Sequence, residues 1–224
     1  MTPRGPNNPV PDTSNLPAVY FLYILGSGGH TTEMLETIKR KMRGQVNQHR
    51  RYVITNGDDD SLRRLNTLEF EIRDAFPGDY SGTCDSFTLP RARRVHQSLL
   101  TTPFTCLATA ITAVNALTRE PDARPQTRHG RQFKYPHVIV TNGPATGFIV
   151  CLVAHVLKIF YLVPQNRLKM VYVESWARTR TLSLTGKMFR WSGIADMFCV
   201  QHEELARRTG GVMVGQLTAP RGNV

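Results

Sequence analysis

The chain has 224 residues, of which 41% are hydrophobic, so it can bury the core of one large domain with short tails. Its formal net charge of +11 favours anionic partners such as phosphates or an acidic membrane surface. Aromatic and basic residues are not interleaved as on RNA-binding surfaces, which sets nucleic acid aside, and the 4 cysteines lack any C-x-x-C pair, so neither a zinc site nor a disulfide framework is indicated.

Residues 1–17, rich in proline and asparagine and without an apolar core, read as a disordered tail rather than a signal peptide or membrane span. The run Tyr20 to Leu25 lacks polar alternation and reads as a strand buried on both faces of a parallel sheet. Gly26, Ser27, Gly28 and Gly29 then turn the chain into a helix, with Thr31 or Thr32 as its cap and Met34, Leu35 and Ile38 on its apolar side. Such a turn directs free N–H groups and the positive end of a helix dipole at one spot, which suits a phosphate or diphosphate. The G-x-G-x-x-G dinucleotide fingerprint is incomplete, because Thr31 stands at its third glycine, although Asp58 to Asp60 lie near the distance of a ribose-binding acid.

A second strand is expected over Tyr52 to Thr55, followed by a helix, and a short strand over Phe87 to Leu89 leads into the basic cluster Arg91, Arg93 and Arg94. A helix of small and aliphatic residues follows, and then a polar, proline-bearing loop insertion near 119–136. The strand before Asn142-Gly143-Pro144 opens a second glycine turn, with Thr146 or the Gly147 backbone able to face an anion. Phe148 to Val163 is short and carries His155 and Lys158, so it reads as a helix packed on the sheet, with Phe160, Tyr161 and Leu162 able to dip into a bilayer interface. Met170 to Val173 is a buried strand ending in Glu174 and Ser175, and a last strand enters a helix near Glu203. Cys151 and Cys199 sit in apolar runs as buried thiols, which suits a reducing compartment. Val212, Met213 and Val214 form an apolar patch that can be a final core strand, ahead of a polar tail at 216–224.

Strands alternating with helices specify an α/β, Rossmann-like open parallel sheet over 18–215 with helices on both faces. Ligands of such sheets gather outside the carboxyl ends of the strands. That edge would collect the glycine turns, His30 and Glu174.

The segments "GSGGHTTEML", "LPRARRVHQS", "VTNGPATGF" and "VYVESWARTRTLSLTGKM" together resemble the asparagine-linked glycosylation protein fourteen family, from about Tyr20 to Gly215. They are also similar to the N-terminal half of the bacterial lipid-linked transferase MurG. The resemblance implies the N-terminal, acceptor-side half of a GT-B glycosyltransferase split over two chains. A separate catalytic subunit would bind UDP-N-acetylglucosamine, and the pair would add the second GlcNAc to GlcNAc-diphosphodolichol at the cytosolic face of the endoplasmic reticulum membrane or nuclear envelope. No cofactor and no metal are implied. Family members usually begin with a transmembrane helix that residues 1–18 do not resemble, leaving truncation and another means of attachment as alternatives.

Within this resemblance, His30 is a general base, a hydrogen-bond donor to the acceptor diphosphate, or a structural tie, with Glu174 the next candidate base or else a helix-capping carboxylate. Gly26, Ser27, Gly28, Gly29, Thr31, Asn142, Gly143 and Thr146 would surround the diphosphate. Arg91, Arg93 and Arg94 would meet headgroups or diphosphate, or form a solvated face, and Val212, Met213 and Val214 would hold the partner. A scaffold that touches no substrate and a nucleotide-dependent oxidoreductase are the remaining classes.

Overall fold

The computed structural model describes residues 17–92, 102–143 and 145–215. The tails at 1–16 and 216–224, Arg93, Arg94 and Pro144 lie outside the described residues. Strands and helices alternate in chain order: β1 (Val19–Ile24), α1 (Gly29–Lys41), β2 (Gln48–Thr55), α2 (Asp59–Ala75), β3 (Thr83–Leu89), α3 (Thr102–Thr118), β4 (Val138–Thr141), α4 (Ala145–Ile159), β5 (Lys169–Val173), α5 (Leu184–Ser192), β6 (Met197–Val200), α6 (Glu203–Thr209) and β7 (Val212–Met213). All pair in parallel in a 7-stranded sheet of order β3-β2-β1-β4-β5-β6-β7. The α/β, Rossmann-like class is therefore observed.

The order reverses between β1 and β4, which pair Phe21 with Val138 through Ile24 with Thr141. The chain leaves β1 toward β2 and β3 on one side, and β4 toward β5, β6 and β7 on the other. This topological switch leaves a crevice above the carboxyl ends of β1 and β4, where open α/β sheets take their ligands.

Two cores cover the two faces. Leu22, Ile24, Val53 and Ile139 pack under α3, α4 and α5 through Ala113, Leu117, Val150, Ala154 and Phe189. Tyr52 and Ile54 pack under α1 and α2 through Met34, Leu35, Ile38, Leu65, Leu68 and Ile72. The expectation that β1 is sealed on both faces is corrected: Tyr20, Leu22 and Ile24 are fully buried, while Phe21 and Tyr23 are half-buried. α4 lies on the sheet as expected, burying Val150, Cys151, Ala154 and Leu157. No helix among the described residues is long and apolar enough to cross a membrane. The insertion near 119–136 is more than a solvent loop, since it buries Phe133 against Tyr20 and His137.

The largest departure concerns β2, which starts at Gln48 instead of Tyr52 and is buried along its whole length, including His49, Arg50 and Arg51. Successive strand residues point to opposite faces, so each arginine enters a different core and finds its own carboxylate there. Arg50 grips Glu69 with two bonds of 2.9 and 2.8 Å and donates to the Ser81 carbonyl at 2.7 Å. Arg51 grips Asp85 at 2.9 and 2.6 Å and donates to the carbonyls of Ala116 and Arg119 at 3.0 and 2.7 Å, so it also closes the end of α3. Burial alone would push both carboxyls up. The hydrogen bonds from Arg50 to Glu69 and from Arg51 to Asp85 instead hold them below the usual carboxylate range.

Removing one partner of such a pair leaves an uncompensated buried charge. Glu69→Ala is expected to lower the unfolding free energy by about 3–5 kcal/mol, as read by urea denaturation. An unchanged denaturation midpoint would mean that Arg50 is solvated rather than held in the core.

Candidate functional site

The site begins where β1 ends. Leu25 still pairs with β2, its N–H donating to the Val53 carbonyl at 2.9 Å. Gly26 is buried, whereas Ser27, Gly28 and Gly29 are exposed. Gly28 has φ 61 and ψ −122, a conformation that side chains disfavour, and it is the N-cap of α1 without any side-chain cap. The first regular helical bond on this turn runs from the Thr32 N–H to the Gly28 carbonyl. The N–H groups of Gly29, His30 and Thr31 precede that bond and have no helical carbonyl to serve, and the first turn carries no acid. An exposed, positively polarised turn results.

The expected cap at Thr31 or Thr32 is corrected. Thr31 is fully buried, and its hydroxyl bonds the Gly26 carbonyl and Ser61 of α2. Side chains in a first helical turn lean toward the N-terminus, so Thr31 staples the turn from below and does not offer its hydroxyl to a ligand. Thr146 is likewise buried, and its hydroxyl accepts the Ala92 N–H at 3.5 Å, away from the glycine turn.

Beside β1, the end of β4 contributes Asn142 and Gly143. Asn142 is 3% exposed, and its Nδ2 donates to the His30 carbonyl at 2.8 Å. Gly143 has φ 93, and a methyl group added there would come within 3.8 Å of His30 Cε1, so the half-buried imidazole lies against the β4 turn. His30 Nδ1 is buried and has no hydrogen-bond partner among the described residues. β5 adds Ser175, whose hydroxyl donates to Glu33 Oε1 at 2.8 Å. Glu33 was missed by sequence reasoning. Its signal was its place one turn after His30, on the same face of α1.

Glu174 is 1% exposed and its carboxylate is fully engaged. Oε1 accepts the Ser175 N–H at 3.1 Å, while Oε2 accepts the Ser183 N–H at 3.0 Å and the Ser183 hydroxyl at 3.2 Å. Ser183 is the N-cap of α5 and receives the Gly186 N–H at 2.9 Å. The geometry matches the capping alternative: Glu174 ties the 175–183 loop, with its exposed Trp176, Arg178 and Arg180, to the end of β5. His202, after β6, meets the Trp176 carbonyl at 2.6 Å and braces the same loop.

Of the remaining expected residues, Arg91 follows β3, two strands from β1, and is half-buried. Val212 and Met213 form the exposed edge strand β7, and Val214 packs on Val173 and Cys199, so this segment is both a strand and an open surface. Among the described residues no cluster of histidine, cysteine, aspartate or glutamate could hold a metal.

Residues 21–216 match the family described as "Oligosaccharide biosynthesis protein Alg14 like". The chain is 33% identical to the UDP-N-acetylglucosamine transferase subunit alg14 of Schizosaccharomyces pombe over 84% of this chain and 78% of that one. It is 33% identical to the protein of the same name from Aspergillus fumigatus, over 77% of this chain and 92% of that one. The Homo sapiens protein of that name is 29% identical over 88% of this chain and 82% of its own length. Among solved structures, the crystal structure of Acinetobacter baumannii MurG is similar with a TM-score of 0.49 at 15% identity, over 84% of this chain and 43% of that one. This chain thus spans less than half of that protein.

Glu174→Ala removes the acceptor for two backbone donors of the 175–183 loop, one buried and one part-buried. We expect a loss of roughly 1–3 kcal/mol in urea unfolding and faster proteolysis within the loop. Unaltered stability and cleavage would contradict the structural role.

Proposed function

Because this chain belongs to the Alg14 family of oligosaccharide biosynthesis proteins, we propose that it is the acceptor-side subunit of a two-chain UDP-N-acetylglucosamine transferase. In this reading it adds the second GlcNAc to GlcNAc-diphosphodolichol at the cytosolic face of the endoplasmic reticulum membrane, together with a donor-binding catalytic subunit. The observation that carries the reading is the exposed Ser27-Gly28-Gly29 turn beside His30 at the switch between β1 and β4. The N–H groups of that turn suit the acceptor diphosphate.

The chemistry requires the acceptor hydroxyl to lose a proton as it attacks the anomeric carbon of the donor sugar. His30 Nδ1 is buried, unpaired among the described residues and beside the turn, which fits a base that receives this proton. The alternative is that His30 donates a hydrogen bond to the diphosphate. Glu174 is the weaker candidate, since both of its oxygens already serve the 175–183 loop. The described residues form a single sheet, the N-terminal half of a GT-B enzyme in this proposal, and UDP-GlcNAc comes with the partner. The open edge at Val212 and Met213 suits that partner's contact.

Attachment to the membrane has a physical candidate in α3. Phe104, Leu107 and Ile111 lie on one side of this helix and are 75%, 60% and 63% exposed. α3 runs back from the carboxyl edge of the sheet, so Phe104 in its first turn is close to the site's edge. Phe160, Tyr161 and Leu162 are also exposed, but they follow α4 at the opposite edge. An apolar stripe on a chain of net charge +11 suits the interface of an anionic bilayer.

The test is transfer of labelled GlcNAc to a lipid diphosphate acceptor, by this chain alone and with its donor-binding partner. The chain alone is expected to be inactive and the pair active. In the folded pair, His30→Ala is expected to lower kcat by ~10²–10⁴-fold if His30 is the base. If it only binds diphosphate, the acceptor KM rises while kcat stays much closer to wild type. Transfer by the chain alone, or normal kcat and KM for His30→Ala, would overturn the corresponding part of the proposal, and the second result would favour a scaffold.

A further inference from the structure

We propose that Glu33 and Asn142 form a subsite for the hydrogen-bond donors of a sugar, its hydroxyls or acetamido N–H, while the diphosphate of the same ligand lies on the neighbouring Ser27-Gly28-Gly29 turn. This rests on the acceptor-side reading above and assigns the orientation of the ligand within it.

Two buried oxygens carry the inference. Asn142 is 3% exposed, and its amide orientation is set because Nδ2 donates to the His30 carbonyl at 2.8 Å. That leaves Oδ1 as the second amide atom, buried and without a partner among the described residues. Glu33 accepts the Ser175 hydroxyl through Oε1 at 2.8 Å, and its Oε2 is also buried without a partner among the described residues. His30 Nδ1, one turn earlier on the same face of α1, is in the same condition. Buried polar atoms are nearly always hydrogen-bonded in native proteins, so unpaired ones at a ligand edge indicate what the ligand brings. These atoms come from α1 and the end of β4, with Ser175 after β5 bracing Glu33, at the carboxyl edge where the strand order reverses.

The chemistry of the set selects the ligand. A carboxylate oxygen and an amide oxygen accept hydrogen bonds and cannot donate them. A diphosphate also brings acceptors, and its charge is repelled by Glu33. The backbone N–H groups of the 27–29 turn offer the opposite preference, with no acid in the first helical turn. One site therefore presents donors on its outer side and acceptors on its inner side. A glycosyl diphosphate has the matching polarity, with the anion outward and the sugar inward, and this brings sugar hydroxyls to the side chain of His30. Glu33 acts here as a positioning residue for the sugar.

The test measures binding by the full chain using two probes, inorganic pyrophosphate and a GlcNAc diphosphate carrying a short alkyl chain. Wild type should bind the sugar diphosphate more tightly than pyrophosphate. Glu33→Gln should weaken the sugar diphosphate by about tenfold without weakening pyrophosphate, which loses only a nearby like charge. Should Glu33→Gln fail to fold, wild type titrated with sugar diphosphates lacking one hydroxyl at a time gives the same answer, with at least one analogue losing about tenfold. Equal affinity for both probes in wild type, or no loss with any analogue or with Glu33→Gln, overturns the subsite and leaves the acceptor-side reading standing. Loss of affinity for the donor-binding chain in place of the sugar also overturns it, since a partner side chain would then supply the missing donors. A wild-type chain that binds neither probe overturns both the subsite and the reading on which it rests.

Discussion

A reversal of strand order between β1 and β4 constrains everything that happens at the carboxyl edge of this sheet. The connections leaving the two strands diverge, one toward β2 and the other toward β5, and the crevice between them is available to a ligand. The residues that must be small or polar cluster at that crevice. Gly28 and Gly143 both adopt positive φ, Asn142 bridges to the His30 carbonyl, and Ser175 reaches Glu33. The two cores hold the strand ends in register beneath them, so the site's precision is inherited from the sheet and not from the loops.

Much of the fold was legible in the sequence because its strands are apolar runs stopped by glycine or polar turns. The alternation of elements, the parallel sheet, the packing of α4 and both glycine turns followed from hydrophobic pattern and turn chemistry. The start of β2 was not legible. "HRR" reads as surface on polarity alone, and only tertiary structure supplies Glu69 and Asp85, distant in sequence, to neutralise Arg50 and Arg51 in opposite cores. The alternation of burial along β1 was hidden for a related reason, since aromatic residues serve equally well in half-buried and sealed positions.

The candidate site was legible in its backbone and poorly legible in its side chains. The glycines announce a turn whatever surrounds them, and His30 stands next to them in sequence. Thr31, Thr146 and Glu174 looked available for a ligand, but each is turned inward: to Gly26 and Ser61, to Ala92, and to Ser175 and Ser183. Glu33 looked like an ordinary helix residue, and its importance depends on Ser175, 142 positions away in the chain. A polar side chain at a strand end can be scaffold or reagent, and the difference lies in which of its atoms are already satisfied.

In the proposed function this chain is the side of a two-chain transferase that holds a lipid-linked diphosphate. The most direct test of that role is photo-crosslinking in the assembled two-chain enzyme with a GlcNAc diphosphate lipid bearing a photoreactive group near the sugar. The account predicts adducts on peptides containing residues 26–33 and 142–143 of this chain, lost on competition with unlabelled acceptor. Adducts confined to the donor-binding chain would contradict it.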